Sequence, residues 1–199
     1  MKKKIFIPIL LVCGAVLGLS MMPAAYAVDT KSCAGCHGAD GASTHTNVPN
    51  IGGMSSTYIA DTMDKYKSGD RKNCEEVKIG PVSGDMCKIA KDLSDADMQE
   101  LADYYAGKKF VRAKQGSNAA LAKKGKEIAE QACEKGHTDG GSVAADDAGI
   151  LAGQWKAYLK KEINDFRSGS RTGPKKMAPK VEKLEPAEVD ALVEYYAGG

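Results

Sequence analysis

Two short segments of the sequence combine cysteine and histidine at a fixed spacing. The first is Cys33-Ala-Gly-Cys36-His37, which matches the C-x-x-C-H signal for covalent attachment of a c-type haem. In this pattern two thiols bind the haem and the histidine is available to bind its iron. A redox-active dithiol, the competing interpretation, normally accompanies alternating strands and helices, and the sequence has no such alternation. We therefore predict that Cys33 and Cys36 tether a haem and that His37 is an axial ligand.

The second segment is Cys133-Glu-Lys-Gly-His137, in which Gly136 replaces the second cysteine. Three interpretations are open. A haem held by a single thioether to Cys133 would have His137 and Met177 on its iron, because ligation of iron needs nothing that Gly136 removes. A second interpretation is a haemless domain that is kept for its fold and its contacts with a partner. The third is another metal, since a thiolate, an imidazole and a thioether together suit copper.

The two segments belong to an imperfect internal repeat. Residues 57–71 match residues 157–171 at the same offset of 100 residues that separates the two cysteine motifs. Residues 93–107 match residues 184–198 at an offset of 91, so the first copy has nine additional residues, which lie within 71–86. A duplicated unit indicates which side chains both copies retain.

The repeat also identifies a candidate for the second axial ligand, which is often a methionine sulfur. Four methionines of the first half follow the motif: Met54, Met63, Met86 and Met98. Only Met86 aligns with a methionine in the second half, Met177. We predict that Met86 binds the iron and that the other three fill the core.

Two further cysteines, Cys74 and Cys87, flank the additional segment of the first copy. Cys87 directly follows Met86. A disulfide between the two cysteines would close a loop of about 14 residues and stabilise the fold by about 3 kcal/mol. No histidine or further thiol lies nearby to complete a metal site. We predict a structural disulfide.

The amino terminus has the pattern of a secretory signal. Lys2 to Lys4 precede an apolar run from Ile5 to Leu19, and Ala25-Tyr26-Ala27 forms a small-residue cleavage site. The run is short for a membrane span. We predict cleavage near Ala27, a periplasmic location and no membrane association afterwards.

The charge of the remaining chain is nearly balanced. Removing the three lysines of the signal from the 28 basic residues leaves 25 basic residues against 26 acidic ones, which excludes a basic surface for nucleic acid.

Apolar residues in both copies recur at intervals of three and four, which indicates helices, and no alternating run predicts a strand. Ser94 and Glu185 are predicted helix starts. We predict an all-α protein of two tandem domains, residues 28–111 and 119–199, joined by a polar linker at residues 112–118.

The motifs resemble those of the duplicated bacterial class I cytochromes c. The similar stretches are CAGCHGADG, VPNIGG, YKSGDR and MCKIAKDLSDADMQELADYYAG, followed by the second helical copy. In that family a proline carbonyl accepts a hydrogen bond from the ligand histidine. The resemblance implies that Pro49 orients His37, whereas the second half has Gly149 at that place. It also implies two tandem class I cytochrome c domains.

The second half is similar to the haem subunit of flavocytochrome c sulfide dehydrogenase. The similar stretches are AKQGSNAALAKKGKEIAEQACEKGH, ILAGQWKAYLKKEINDFRSGSR and KKMAPKVEKL. In that family the haem subunit binds a separate FAD-containing subunit, which oxidises sulfide. The resemblance implies an electron-transfer subunit, not catalytic alone, that passes electrons from this FAD to a soluble acceptor.

Two other hypotheses fit the same residues. A free-standing two-domain periplasmic carrier would feed a terminal oxidase and have no flavin partner. A sulfur-substrate enzyme would use the unpaired Cys133. Because His37 and Met86 would fill both axial positions of the first iron, outer-sphere electron transfer is favoured over substrate chemistry at that metal.

Overall fold

The computed structural model describes residues 28–199, and the predicted signal segment, residues 1–27, lies outside the described residues. The described chain is mostly helical, which confirms the predicted fold class, but it also contains a short hairpin. The helices are α1 Thr30–His37, α2 Ser56–Ser68, α3 Met86–Asp92, α4 Asp95–Ala106, α5 Ala119–Ala132, α6 Thr138–Gly141, α7 Lys156–Ser168, α8 Ala178–Val181 and α9 Pro186–Gly198. The strands are β1 Val77–Ile79 and β2 Val82–Gly84, and a 3-10 helix spans Ala144–Asp146.

The hairpin lies within the additional segment of the first copy. Its strands are antiparallel and pair Val77 with Gly84 and Ile79 with Val82. Gly80 turns the chain at a φ of 59°, a conformation that favours glycine. The expectation that the chain contains no strand is therefore wrong here, because strands of three residues are too short to produce a detectable alternation.

A disulfide between Cys74 and Cys87 closes the segment that contains the hairpin, and the two Cα atoms lie 5.9 Å apart. At the end of this segment, the carboxylate of Asp85 accepts hydrogen bonds from the backbone amides of Cys87 and Lys88 and begins α3. The disulfide and the cap together fix the position of Met86, the first residue of α3.

Each half has its own apolar core. In the first half α2 packs on α4, and the core includes Met63, Leu101 and Tyr105. In the second half α5 packs closely on α9, with α7 beside them. Gly125 permits this approach, because a Cβ at this position would overlap the carbonyl oxygen of Ala191. The repeat therefore builds two similar helical units.

Capping boxes begin the last helix of each half. The hydroxyl of Ser94 accepts a hydrogen bond from the amide of Asp97, whose carboxylate accepts one from the amide of Ser94. Glu185 and Glu188 form the same reciprocal arrangement at the start of α9. Both predicted helix starts are confirmed.

Backbone hydrogen bonds join the two halves at equivalent loops of the repeat. The amide of Lys72 donates to the carbonyl of Ser170, and the amide of Thr172 donates to the carbonyl of Asp70, each at 2.9 Å. Because these pairs are related by the offset of the repeat, the two halves meet with local two-fold symmetry.

A buried charge cluster lies beside these loops. Glu162 accepts a hydrogen bond from Arg71 on one carboxylate oxygen and from Arg171, at 2.5 Å, on the other. The hydroxyl of Tyr58 lies 3.4 Å from Nη2 of Arg171. Burial alone would raise the pKa of the Glu162 carboxyl, but the two guanidinium groups outweigh it and hold that pKa below its usual value. Glu162 is therefore an anion that contacts both halves.

A second polar contact crosses the interface at Gln154, whose side chain is fully buried. The amide of Asn50 donates to its Oε1 at 2.8 Å, and its Nε2 donates to the carbonyl of Asn50 at 2.9 Å. The Gln154 side chain therefore satisfies both backbone polar groups of a buried residue 104 positions away.

We expect Gln154→Met, which introduces the residue found at the equivalent position of the first half, to lower the free energy of unfolding by about 2–4 kcal/mol. The reason is that the buried amide and carbonyl of Asn50 would lose their partners. Denaturant unfolding of the protein as purified measures the loss. Gln131→Met, on an exposed position of α5, is the matched control and should change stability by less than about 0.5 kcal/mol. Equal losses in the two variants would contradict the role of Gln154.

Candidate haem-binding site

The first cysteine motif lies on a single short helix. Asp29 begins α1 by accepting a hydrogen bond from the amide of Lys31, and α1 ends at His37. One helical turn separates Cys33 from Cys36, so both side chains project from one side of α1. The geometry matches the tethering role predicted for the two thiols.

A cavity of about 530 Å³ adjoins this helix and is lined by both cysteines and by His37. Its volume lies within the usual range for cofactor sites. Most of the wall surface is apolar, and Ile59 and Met63 of α2 and Leu101 of α4 contribute to it. The cavity also contacts the second half, because Tyr158, Lys161 and Glu162 line it. In the described part of the chain, the buried hydroxyl of Tyr105 on its wall has no hydrogen-bond partner.

The imidazole of His37 is buried, and its Nδ1 lies 3.1 Å from the carbonyl oxygen of Pro49. A carbonyl only accepts hydrogen bonds, so Nδ1 carries the hydrogen and Nε2 is left to bind a metal. Burial lowers the pKa of His37 despite this hydrogen bond, which keeps the ring in the neutral form that binds iron. The contact implied for Pro49 is present.

The structure places three of the four candidate methionines on the cavity wall: Met54, Met63 and Met86. Met54, Met63 and Met98 also belong to the buried core of the first half, which confirms that these three methionines fill the core. Lining the cavity does not separate Met86 from Met54 and Met63, so its ligand role stays a prediction that rests on the repeat. These donors and apolar walls fit a haem, which would be tethered by the motif cysteines and held between His37 and Met86.

The disulfide sulfurs offer no metal site. Among residues 28–199, one group of three adjacent cysteine, histidine or acidic side chains is found, formed by Cys74, Asp85 and Cys87. Its two sulfurs are joined in the disulfide, so neither is a thiolate that could bind a metal.

The second motif has a different backbone. Helix α5 ends at Ala132, so Cys133 to His137 follow the helix in a turn instead of lying on it. The hydroxyl of Tyr196 donates a hydrogen bond to the sulfur of Cys133, which packs against the core of the second half. Burial raises the pKa of the Cys133 thiol. Cys133 is partly buried and packs against the core of its half, as Cys33 does in the first half.

The hydrogen bonding of the motif histidine also differs between the halves. Across residues 28–199, the buried Nδ1 of His137 finds no hydrogen-bond partner. Gly149 takes the place of Pro49 and has a φ of 76°, which proline cannot adopt. A Cβ at Gly149 would lie 2.6 Å from the ring of Tyr58. Met177 is half-buried and immediately precedes α8.

Four residues of the interface escaped the sequence analysis: Tyr58, Arg71, Glu162 and Arg171. A signal existed in the aligned segments, where Arg71 and Arg171 end the stretches SGDR and SGSR. Glu162 carried no such signal, because it aligns with Thr62 and its burial depends on contacts between the halves.

Comparison with known proteins places the site in a family. A family model described as cytochrome c matches residues 24–106. Cytochrome c4 of Pseudomonas aeruginosa is 33% identical over 178 residues, which cover 83% of each chain. The thiosulfate dehydrogenase electron acceptor of Thiomonas intermedia is 29% identical and covers 76% of this chain and 71% of its own. The crystal structure of reduced recombinant cytochrome c4 from Pseudomonas stutzeri is 28% identical, with a TM-score of 0.69, over 85% of this chain and 94% of that one.

None of the helices in residues 28–199 is long and apolar enough to cross a membrane.

The similarities to known proteins extend over both halves. They confirm the prediction of two tandem class I cytochrome c domains and of haem c as the cofactor. The chain belongs to the cytochrome c family and, within it, to the two-domain members related to cytochrome c4.

Proposed function

We propose that the protein is a free-standing two-domain electron carrier of the periplasm that feeds a terminal oxidase. The observation that carries the proposal is the cavity that gathers Cys33, Cys36, His37 and Met86 on a chain similar to cytochrome c4 along most of its length. A haem in this cavity supplies a one-electron iron couple. Domains at residues 28–111 and 119–199, and a cleaved signal at residues 1–27, belong to the proposal.

The residues around the cavity suit a carrier better than a catalyst. His37 and Met86 would occupy both axial positions of an iron, which leaves no position for a substrate. The hydrogen bond from His37 to Pro49 fixes the imidazole, and most of the cavity wall is apolar. Ile89 lines the cavity and is 38% exposed, so the cavity approaches the surface there. Outer-sphere electron exchange at that edge needs no motion of the ligands.

A thiosulfate-oxidising enzyme is a second candidate for the electron donor. The relative from Thiomonas intermedia is called a thiosulfate dehydrogenase electron acceptor, and it resembles this chain across both halves. This favours a redox enzyme of sulfur metabolism as the partner that reduces the carrier.

The FAD-containing sulfide dehydrogenase subunit is a weaker proposal than either of these. It rests on motif resemblance alone, whereas the similarities to cytochrome c4 extend over 83% of both chains. The hypothesis of a sulfur-substrate enzyme is weaker still. Burial raises the pKa of the Cys133 thiol, which reduces the fraction of reactive thiolate.

We expect the native protein to purify from its source without bound flavin and with the sharp reduced bands of haem c. Its reduced form should be reoxidised by membranes that contain the terminal oxidase, and inhibiting that oxidase should stop the reaction. Flavin analysis and stopped-flow absorbance measure the two properties. An equimolar FAD subunit in the purified material would contradict the free-standing carrier and support the sulfide dehydrogenase subunit.

We expect Met86→Ala to keep the covalent haem but lower its reduction potential, because a thioether ligand raises the potential of haem iron. The vacated axial position should also allow carbon monoxide to bind, from essentially none to about one per haem. Redox titration and the absorbance of the reduced protein under carbon monoxide give both results.

Met63→Leu and Met54→Leu are the matched controls, since both methionines line the same cavity. Each should retain the potential and exclude carbon monoxide. If either control acquires the properties expected of Met86→Ala, Met86 is not the axial ligand.

A further inference from the structure

The equivalent positions 62 and 162 differ in charge, and this difference bears on the second domain. In the first half Thr62 lines the haem cavity. In the second half the same place of the repeat is Glu162, which is buried and bound to two arginines. A carboxylate has thus been introduced at a position that borders a haem cavity in the other copy.

Several features of the second domain do not fit a haem. Gly136 removes one anchoring thiol, and the remaining Cys133 accepts a hydrogen bond from Tyr196 within the core. In the first half the hydroxyl of Tyr105, the equivalent of Tyr196, instead lies on the cavity wall. The second half therefore uses for its own packing a group that the first half leaves beside the cavity.

The hydrogen bonding of His137 is a further feature that does not fit a haem ligand. His37 is oriented by the carbonyl of Pro49, whereas the Nδ1 of His137 has no hydrogen-bond partner within the described residues. Gly149 cannot be replaced by proline at its φ of 76°, and the ring of Tyr58 fills the space beside it. A ligand histidine normally donates its second ring hydrogen to a fixed acceptor, and His137 has none.

The arginines of the cluster show what Glu162 does. Arg71 and Arg171 are equivalent in the repeat, and both are buried. Arg71 lines the first cavity, so a carboxylate of a haem bound there would lie near its guanidinium. By the symmetry of the repeat, Arg171 would face the carboxylates of a second haem. Its Nη1 is bound instead to Glu162 at 2.5 Å.

The charges of the cluster agree with one anionic cofactor. Within the described residues, the cluster combines the guanidinium groups of Arg71 and Arg171 with the single carboxylate of Glu162. Buried charges are costly unless they are paired. Glu162 neutralises one guanidinium, which leaves one positive charge beside the first cavity for a haem carboxylate. A second haem would add negative charge that no further arginine of this cluster could pair.

We infer that the second domain does not bind haem, and that Glu162 provides from the chain itself the negative charge that a haem carboxylate would otherwise bring to Arg171. The second domain then serves as a fixed wall of the first haem site. The inference holds whichever enzyme donates electrons, so it can fail without affecting the proposed function.

The first test is the cofactor content of the native full-length protein. Intact mass should show one covalently attached haem, and elemental analysis should give one iron per chain and no stoichiometric copper. A mass with two haems, two irons per chain or one copper per chain would each overturn the inference. The proposed function would survive any of these results.

The second test is the variant Glu162→Gln. Leaving two buried guanidinium groups without a carboxylate should lower the midpoint of thermal unfolding by about 10 °C. It should also raise the reduction potential of the first haem, because a negative charge on the cavity wall is lost. Glu127→Gln, at an exposed position of α5, is the control and should change neither property. A wild-type midpoint and potential in Glu162→Gln would overturn the compensating role of Glu162.

Discussion

The carboxylate of Glu162, held between Arg71 and Arg171, is the interaction on which the arrangement of the two domains depends. None of these charges can be buried alone, because an unpaired ion away from water costs several kcal/mol. Each half supplies one arginine, and Arg71 of the first half pairs with the Glu162 carboxylate only when the halves meet in this orientation. The same cluster forms one side of the haem cavity. Domain packing and the environment of the cofactor are therefore set by one group of charges.

Duplication has produced two helical units with different interiors. In the first, methionines and a tyrosine surround a cavity. In the second, their counterparts have other uses: Gln154, in place of Met54, satisfies the backbone of Asn50, and Tyr196, in place of Tyr105, bonds to Cys133. Helix packing tolerates this divergence because α5 and α9 still bury an apolar core between them. The fold was retained while the residues of its interior changed.

The parts predicted from sequence are those encoded by short-range spacing. The helical periodicity, the capping residue Ser94 and the spacing of Cys33, Cys36 and His37 each act over a few residues, and all appear in the structure. The hairpin was missed because its strands are too short to show a period. The contacts of Glu162 were missed because they join residues about 90 positions apart, and no local pattern predicts a buried carboxylate. The motifs alone also could not identify the partner, since related cytochromes share them.

The asymmetry of the two halves has a consequence for electron transfer. Lys161, Tyr158 and Glu162 belong to the second domain but line the cavity of the first, so the second domain contributes to the electrostatic potential there. Charges on a buried wall are poorly screened by solvent, and they shift the relative stability of the oxidised and reduced iron. A domain without a cofactor can therefore still tune the carrier. This effect on the iron is a physical reason for a second copy that lacks one haem-anchoring cysteine to keep the buried ion pair between its Glu162 and Arg71 of the first copy.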